Sequence, residues 1–361
     1  MGRMLGGTTV LLPSRLQAFV CAGGFYFNNF LRKEDIIMKL RKLISIALLA
    51  ATTLTTAVGM TSCGSTAEYH VGIVQLVQHP ALDAATQGFQ DALKDKLGSK
   101  VSFDLQNAAN DSATCGVMVN QFVSSGNVDL IMANATPALQ AAATGTTEIP
   151  IVAVSITDYA TALDIDNWTG KTGRNITGSS DLAPLADQAK MIKELVPDAK
   201  KVGILYCSAE PNSKYQSTVI TEELKGMGLT VKEFTFADSN DLAAVTTAAC
   251  KEVDVIYVPT DNSVASNTGI IDGIALPAGI PVVAGEEGIC TGCGIATLSI
   301  DYYSHGYAAG EMAYEILVNG ADPAEMDVRF ATNLTKKYHE ERCQKLGISV
   351  PEGYVAIETE E

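Results

Sequence analysis

Short apolar runs alternate with longer amphipathic segments from residue 69 onward. The runs are rich in Val, Ile and Leu and are apolar throughout, which is typical of strands covered on both faces of a parallel sheet. The intervening segments repeat their apolar residues with helical spacing. The predicted strands are 70–76, 101–106, 128–133, 150–155, 201–206, 229–236, 253–258, 281–284 and 295–299. This alternation predicts an α/β fold.

The apolar pattern also occurs twice along the chain. Three short sequences recur in the same order at nearly constant spacing: VGIV at 71–74 as VGIL at 202–205, VDLI at 128–131 as VDVI at 253–256, and IPIVA at 149–153 as IPVVA at 280–284. We therefore predict two Rossmann-like lobes with parallel sheets.

A hinge between the lobes is predicted from the segments that connect them. Residues 164–181 are rich in Gly, Asn and Thr and have no helical period, so we expect the chain to cross there. The helical segment 305–319 should return to the first lobe, and the tail 327–361 should add an edge strand and a last helix. The predicted lobes are 69–178 with 302–324, and 179–301 with 325–361. Several crossings form a hinge whose cleft opens and closes.

Polar residues stand where the predicted strands end, which is where open α/β sheets bind ligands. The candidate ligand-binding residues are Gln75, His79, Thr136, Ser155, Thr157, Asp158, Asn212, Ser213, Asp261, Asn262 and Glu286. Thr136 corresponds in the repeat to Asp261, and Ser155 to Glu286. Together with helix N-termini, such a cleft can hold an anion at one end and a cation at the other. A free α-amino acid carries both groups.

Helix capping is a competing interpretation of these residues. Thr136, Asn212 and Asn262 are all suitable N-caps, and a polar residue at a strand end is more often a cap than a ligand. His79 fits a capping or packing role as well. Asp261 is the stronger candidate because it directly follows an apolar strand and its repeat counterpart is uncharged.

The N-terminal region has the parts of a secretory signal. Residues 38–62 combine a basic start, an apolar segment and small residues before Cys63. Cys63 after two small residues resembles the lipobox of bacterial lipoproteins, so we expect cleavage before it, lipidation of its sulfur, a tether at 63–68 and an extracytoplasmic protein anchored to the cell membrane. An ordinary signal peptide with an incidental cysteine is the alternative.

Residues 1–37 have no role in this scheme. Lys33-Glu34-Asp35 can be encoded by a strong ribosome-binding sequence just ahead of Met38. We therefore expect Met38 to be the true start and residues 1–37 to be translated leader.

Charge excludes several classes of partner. The chain has 25 basic and 41 acidic residues, and residues 1–62 hold 7 and 2 of them, which leaves 18 against 39 and a net charge of −21. Such a surface repels nucleic acid and anionic lipid. Beyond the signal, no apolar run approaches the roughly 20 residues that span a bilayer. We expect a monomer that contacts the membrane only through its lipid anchor.

The spacing of the cysteines does not indicate a metal or cofactor site, and the sequence lacks the catalytic motifs that would indicate an enzyme. Cys290 and Cys293 form a CxxC in a predicted turn without the second ligand pair that a zinc site needs. A small surface disulfide or two free thiols are the expected states. No GxSxG, phosphate-binding GxxxxGK[ST] or HExxH sequence occurs.

Several motifs together resemble a known family. They are GIVQLVQHPALDAATQGF at 72–89, ATPALQAA at 135–142, AVSITDYATA at 153–162, NITGSSD at 175–181, KVGILYCSAEPNS at 201–213, YVPTDNSVAS at 257–266 and DYYSHGYAAGEMAYEIL at 301–317. Their order and spacing resemble the substrate-binding lipoproteins of ABC transporters that bind tryptophan or other aromatic amino acids. One departure from the family pattern is GEEGICTGCGIAT at 285–297, which carries two cysteines close to Glu286.

The resemblance implies a type I periplasmic-binding fold whose two lobes close on an amino-acid-like ligand and dock onto ABC permease subunits. By the family pattern the pocket would be lined by Thr136, Ser155, Asp158, Asn212, Ser213, Asp261 and Asn262. Our hypothesis is that Asp261 pairs with the ligand ammonium while hydroxyls, Asn212 or Ser213 and helix-end N–H groups hold the carboxylate. Tyr159 or Tyr206 are candidates for the surface under the side chain. A sugar or nucleoside binder on the same fold, or a sensor without a transport role, is the alternative.

Overall fold

The computed structural model describes residues 67–331 and 334–358, and these residues belong to one compact unit. The expected leader 1–37, the signal peptide 38–62, Cys63 and most of the tether lie outside the described residues.

The described residues form thirteen strands. They are β1 (Tyr69–Gln75), β2 (Val101–Asn107), β3 (Leu130–Asn134), β4 (Ile151–Ile156), β5 (Ile176–Ser180), β6 (Lys201–Cys207), β7 (Thr230–Phe236), β8 (Val255–Val258), β9 (Val282–Ala284), β10 (Ala296–Ile300), β11 (Arg329–Phe330), β12 (Leu334–Tyr338) and β13 (Val355–Ala356).

Twelve α-helices lie in the same part of the chain. They are α1 (Pro80–Leu97), α2 (Ser112–Ser125), α3 (Thr136–Gly145), α4 (Tyr159–Leu163), α5 (Leu185–Leu195), α6 (Pro211–Gly226), α7 (Leu242–Cys250), α8 (Asn262–Ala265), α9 (Thr268–Ala275), α10 (Glu287–Cys293), α11 (Tyr302–Asn319) and α12 (Glu340–Leu346).

The strands form two sheets, each the centre of one lobe. The sheet of lobe one has the order β11-β5-β4-β3-β1-β2, and that of lobe two has the order β13-β12-β10-β9-β8-β6-β7. All pairs are parallel except β10 with β12. The predicted α/β fold with two Rossmann-like, parallel-sheet lobes is confirmed, with this one antiparallel pair added.

Helices cover both faces of each sheet, which explains why the central strands are apolar throughout. In lobe one, α1 and α11 pack on one face, and α2, α3 and α4 on the other. In lobe two, α5, α6 and α12 cover one face, and α7 to α10 the other. Helices α1 and α11 approach so closely that a Cβ on Gly306 would lie 1.9 Å from the carbonyl oxygen of Ala85. Glycine is required there.

The crossing segment differs from the predicted one. Within 164–181, residues 176–180 form the buried strand β5, which pairs with β4 in lobe one. The first crossing therefore lies between Ser180 and α5. Trp168 stacks on Tyr159, with ring centroids 6.2 Å apart, and packs against the core of lobe one. The polar Thr and Ser residues of β5 do not give the apolar pattern of a buried strand. Their side chains form hydrogen bonds only with residues that the fold brings close.

The predicted lobe boundaries change accordingly. Ser179 and Ser180 belong to lobe one, and so does β11, because Arg329 and Phe330 pair with these two residues. The chain crosses a second time at Asp301 and a third time between β11 and β12. The tail thus adds β11 to lobe one, and β12, α12 and β13 to lobe two. A two-residue strand carries too little pattern to be recognised in sequence.

The CxxC sequence is helical rather than a turn. Cys290 and Cys293 lie in α10, and both are buried free thiols. Arg342 donates to the carbonyl oxygens of residues 290, 291 and 292 at the end of this helix, which stabilises a glycine-rich sequence with weak helical preference. Burial raises the pKa of both thiols, as expected for inert structural cysteines.

Candidate functional site

The strand ends of the two lobes meet across a cleft. His79, which precedes α1, lies 3.2 Å through its Nε2 from Asn262 Oδ1 of α8. Asn110, after β2, donates through Nδ2 to Ser263 Oγ at 2.9 Å. Helix α4 of lobe one also contacts α6 of lobe two. The sequence-predicted residues of both lobes are therefore gathered in one region.

On the side of lobe one, helix α3 begins without a side-chain cap. Its N-cap is Ala135, which cannot supply an oxygen, and Ala135 has a φ of 90°. Ser155, at the end of the neighbouring strand β4, has a φ of 58°. Residues other than glycine are rarely held in such conformations, and these conformations cluster at binding sites. The first turn of α3 has backbone N–H groups without a side-chain cap beside this position, although Pro137 contributes none.

Several buried polar atoms around this point have no hydrogen-bond partner. Seven buried side-chain atoms among residues 67–331 and 334–358 lack one, and five of them belong to the strand ends that line the cleft. The five are His79 Nδ1, Asn134 Oδ1, Thr136 Oγ1, Ser155 Oγ and Asn212 Oδ1. Leaving a buried polar group unpaired costs roughly 1–3 kcal/mol. Their concentration at the predicted site indicates groups that a ligand completes.

On the side of lobe two, Asp261 is the N-cap of α8. Its carboxylate accepts three hydrogen bonds, from Val264 N at 2.9 Å, Cys207 N at 2.8 Å and Ser213 Oγ at 2.7 Å. Burial, together with the neighbouring Glu210, raises the pKa of Asp261 to about 8. The capping interpretation thus describes this carboxylate, and both of its oxygens are already engaged.

Glu210 is a second buried carboxylate with many donors. It accepts from Asn262 N (3.0 Å) and Nδ2 (2.7 Å), from Ser263 N (2.8 Å) and Oγ (2.7 Å), and from Asn212 Nδ2 (3.2 Å). These bonds hold Asn262 and Ser263 in place, and these are the two residues of α8 that form hydrogen bonds with lobe one. Because Asn262 Nδ2 donates to Glu210, its Oδ1 faces His79, and His79 Nε2 must carry the hydrogen. Burial lowers the pKa of His79, which keeps the ring neutral.

The remaining sequence-predicted residues have local partners. Gln75 bonds to Val77 O, Asp83 and Thr86 inside lobe one. Asp158 caps α4 by accepting from Thr161 N at 2.7 Å. Glu286 caps α10 through the N–H groups of residues 288 and 289, and burial raises its pKa to about 7.

Asp181 is a further buried acidic residue at the strand ends of lobe one, and sequence reasoning missed it. It begins the first crossing and is 5 % exposed, with Thr157 Oγ1 3.3 Å from its Oδ1 and Tyr302 Oη 2.9 Å from its Oδ2. Burial raises its pKa to about 6. The available signal is its position directly after the polar sequence TGSS at 177–180, but the composition of 164–181 predicts a connecting segment and not a strand end.

A cavity of about 480 Å³ lies between the lobes beside the hinge. Apolar and aromatic residues from both lobes line much of it, and Glu286 contributes one polar wall. These apolar and aromatic residues are Pro80, Ala81, Ala84, Ala265, Ile300, Tyr302 and Tyr303. Tyr159 and Tyr206, the candidates from sequence, are instead buried in the cores of lobe one and lobe two.

Comparison with known proteins agrees with this arrangement. The family model for ABC transporter substrate binding proteins matches residues 70–360. The chain belongs to this family. As a member of the ABC transporter substrate-binding family, it has the type I periplasmic-binding fold, and the family resemblance predicted from sequence is confirmed.

Two relatives bind aromatic amino acids. A tyrosine-binding protein of Clostridioides difficile (strain R20291) is 38 % identical over 251 residues, 69 % of this chain and 72 % of that protein. An ABC domain from Streptococcus pneumonia, solved in complex with L-Trp, is 33 % identical with a TM-score of 0.76 and covers 80 % of this chain and 99 % of its own.

A third relative is a substrate-binding protein with adhesive properties from Clostridium difficile, in its ligand-free, open structure. It is 35 % identical, with a TM-score of 0.62, and covers 81 % of this chain and 100 % of its own. The L-Trp complex is thus the better structural match although its sequence is slightly less similar.

Residues 67–331 and 334–358 contain neither a candidate metal site nor a candidate membrane span. In that part of the chain no group of three or more His, Cys, Asp or Glu side chains could hold a metal ion. None of the helices described there is long and apolar enough to cross a membrane.

Proposed function

We propose that this substrate-binding protein captures an aromatic L-amino acid in the cleft between its lobes. The observation that carries the proposal is the set of unpartnered buried polar atoms at the strand ends, centred on Thr136 and Ser155. The tyrosine-binding relative and the relative solved with L-Trp support the choice of ligand class.

The ligand carboxylate is assigned to the first turn of α3. An uncapped helix N-terminus attracts an anion through its free N–H groups and its dipole. The hydroxyls of Thr136 and Ser155 add two donors that have no other acceptor. Asn212 belongs to the same proposed site from the opposite lobe, where its Oδ1 is unpartnered.

The aromatic side chain is assigned to the cavity between α1 and α10. Its volume of about 480 Å³ exceeds the space that a single indole or phenol ring fills, and its walls include Ala84, Ala265 and Tyr302. Binding sites of this kind combine a mostly apolar wall with a few placed polar groups.

Closure is assigned to the two hydrogen bonds between the lobes, from His79 to Asn262 and from Asn110 to Ser263. We call these four residues the latch. Glu210 holds the two latch residues of lobe two in place. Among the other sequence-predicted residues, Gln75, Thr157, Asp158, Ser213, Asp261 and Glu286 are proposed to shape the site through their local hydrogen bonds.

We further propose that the protein is an extracytoplasmic, monomeric lipoprotein held to the cell membrane through Cys63, and that it delivers its ligand to ABC permease subunits. Metabolic labelling with a palmitate analogue tests the anchor. Labelling that disappears in Cys63→Ser is expected, and labelling that persists contradicts it.

A thermal-shift screen of the twenty amino acids, nucleosides and simple sugars tests the ligand class. A ligand present at about 100 times its dissociation constant should stabilise the protein by about 2.7 kcal/mol. We expect L-tryptophan or L-tyrosine to give the largest shift. A larger shift with a sugar or nucleoside would contradict the proposal and support the alternative ligand class.

A further inference from the structure

We infer that Asp181, rather than Asp261, binds the ammonium group of the ligand. This inference rests on the proposed function, because an amino acid is the ligand that brings an ammonium group into the cleft. It assigns a specificity-determining role to a residue of the hinge.

The other buried carboxylates of the site are already satisfied by the protein. Glu210 accepts five hydrogen bonds, and Asp261 accepts three, two of them from backbone N–H groups. Glu286 accepts from two backbone N–H groups at the start of α10, whose partial positive charge partly compensates the carboxylate. A further donor to Glu210 would have to displace one of its bonds, because a carboxylate has about four lone-pair sites. Asp261 and Glu286 keep free sites, but the backbone N–H groups at the start of a helix compensate part of their charge.

Asp181 differs in the kind of donor that it has. Its two side-chain donors are the hydroxyls of Thr157 and Tyr302, and the first of these bonds is long at 3.3 Å. Within residues 67–331 and 334–358, no Lys, Arg or His forms an ion pair with it. A buried carboxylate without a cation is costly, and its remaining lone pairs can accept further hydrogen bonds. An ammonium group supplies both the charge and the donors.

The sheet register places Asp181 at a suitable distance from the proposed carboxylate site. Asn134 of β3 pairs with Val154 of β4, and Ile156 of β4 pairs with Ser180 of β5. The ends of these three strands are consecutive in the sheet, and neighbouring strands lie roughly 5 Å apart. Thr136 follows β3, Ser155 is the last residue but one of β4, and Asp181 follows β5.

The two charged groups of an α-amino acid are attached to one carbon, so adjacent strand ends of a single lobe match their spacing. Asp261 belongs to the opposite lobe. An ammonium bound there would be held by the lobe opposite to the strand ends proposed for the carboxylate. The register thus favours Asp181 independently of the hydrogen-bond count.

Calorimetry with matched ligand pairs tests the assignment. L-Tryptophan is compared with indolepropionate, and L-tyrosine with hydroxyphenylpropionate, since the second member of each pair lacks only the amino group. The wild-type protein should prefer the amino acid by about 10²–10³-fold, the range expected for pairing a buried charge. In Asp181→Asn this preference should fall below about tenfold, mainly through loss of amino-acid affinity.

Asp261→Asn tests the rival carboxylate at the cleft. It should lower the melting temperature and, because Asp261 shapes the site, weaken the binding of both members of a pair, but the ratio between their affinities should persist. Circular dichroism verifies that both variants are folded. If Asp181→Asn is unfolded, Thr157→Val replaces it, and a loss of affinity confined to the amino acids is then expected.

Two results would overturn the assignment. One is an unchanged preference in folded Asp181→Asn, and the other is loss of the preference in Asp261→Asn. A wild-type protein that prefers a non-aromatic amino acid contradicts only the proposed ligand class, and the same comparison then uses that amino acid and its desamino analogue. A wild-type protein that binds no amino acid contradicts both proposals.

Discussion

At the strand ends of lobe one, hydroxyl and amide atoms are buried without partners, whereas at the strand ends of lobe two the carboxylates are surrounded by donors from their own lobe. Thr136 and Ser155 represent the first case, and Glu210 and Asp261 the second. Both lobes arise from the same alternation of strands and helices, so the difference lies in chemistry and not in architecture. In lobe one these polar atoms remain available for further hydrogen bonds, whereas in lobe two the hydrogen bonds hold the loops of the lobe itself in place.

The largest expected effect comes from removing the central acceptor of lobe two. Glu210→Ala leaves five donors without their carboxylate, so the free energy of unfolding should fall by about 3 kcal/mol or more. Urea denaturation measures the loss. Glu222→Ala, at an exposed position of α6, should change stability by less than about 0.5 kcal/mol. Equal losses in the two variants would contradict the role of Glu210.

In lobe one, removing a polar side chain should lower ligand affinity and not the stability of the protein. Thr136→Val removes a hydroxyl without a protein partner, so stability should be unchanged or slightly higher, while ligand affinity falls about 10- to 100-fold because a hydrogen bond to a charged group is lost. Calorimetry measures both ligand affinity and unfolding. Thr297→Val is the control, since Thr297 Oγ1 of β10 is also buried and unpartnered but lies outside the proposed site. A comparable loss of affinity in the control would refute the assignment.

The crowded carboxylates of lobe two predict a pH dependence of stability. Burial raises the pKa of Asp261 to about 8 and that of Glu286 to about 7, whereas both ionise near pH 4 in an unfolded chain. The folded protein therefore holds extra protons in this window and loses stability as the pH rises through these values.

Between pH 7 and 8 the free energy of unfolding of the ligand-free protein should fall by about 1 kcal/mol. Burial lowers the pKa of His79, His305 and His339, which opposes this trend where the unfolded chain still protonates its histidines, so the interval begins above pH 6.5. Asp261→Asn should flatten the dependence. A stability that is constant or rises over this interval would show that the carboxylates are ionised at lower pH.

The smallest effect is expected at the latch. Asn110→Gly removes the bond to Ser263 and should speed ligand dissociation about 3- to 10-fold, as expected for one partly buried hydrogen bond. Asn110 has a φ of 66° and Ala109 a φ of 51°, so Ala109→Gly makes the same kind of backbone change without losing a side-chain bond between the lobes. Stopped-flow fluorescence of Trp168 measures the rate, because it stacks on Tyr159 of α4, which contacts α6. Equal rates in both variants would exclude a latch role for Asn110.

Most of the fold could be predicted because fully apolar strands carry a strong signal. Strands such as β1 and β6 were located within one or two residues. Strand β5, with sequence ITGSS, was missed because its Thr and Ser side chains are satisfied by His305 and by carbonyl oxygens from distant parts of the chain. Helix α10 was missed because Arg342 stabilises its end from about fifty residues away in the chain.

The candidate site could be located from sequence more readily than its roles could be assigned. Strand ends in an open α/β sheet identified His79, Thr136, Ser155, Asn212 and Asp261 as a group. Whether each one is a cap or a ligand depends on which donors reach it, and Asp261 is a cap because Cys207 and Ser213 lie beside it. Asp181 was missed because β5 was missed.

The sequence by itself determined the two-lobed α/β architecture and the position of the cleft, because hydrophobic periodicity and the carboxyl ends of strands are local properties of the chain. Only the tertiary structure decided which polar atoms remain free. Hydrogen-bond satisfaction depends on contacts such as those of Glu210 with Ser263, or of Tyr302 with Asp181, whose partners lie 53 and 121 residues apart along the chain. A buried polar side chain is left available to a ligand only when no such distant partner reaches it.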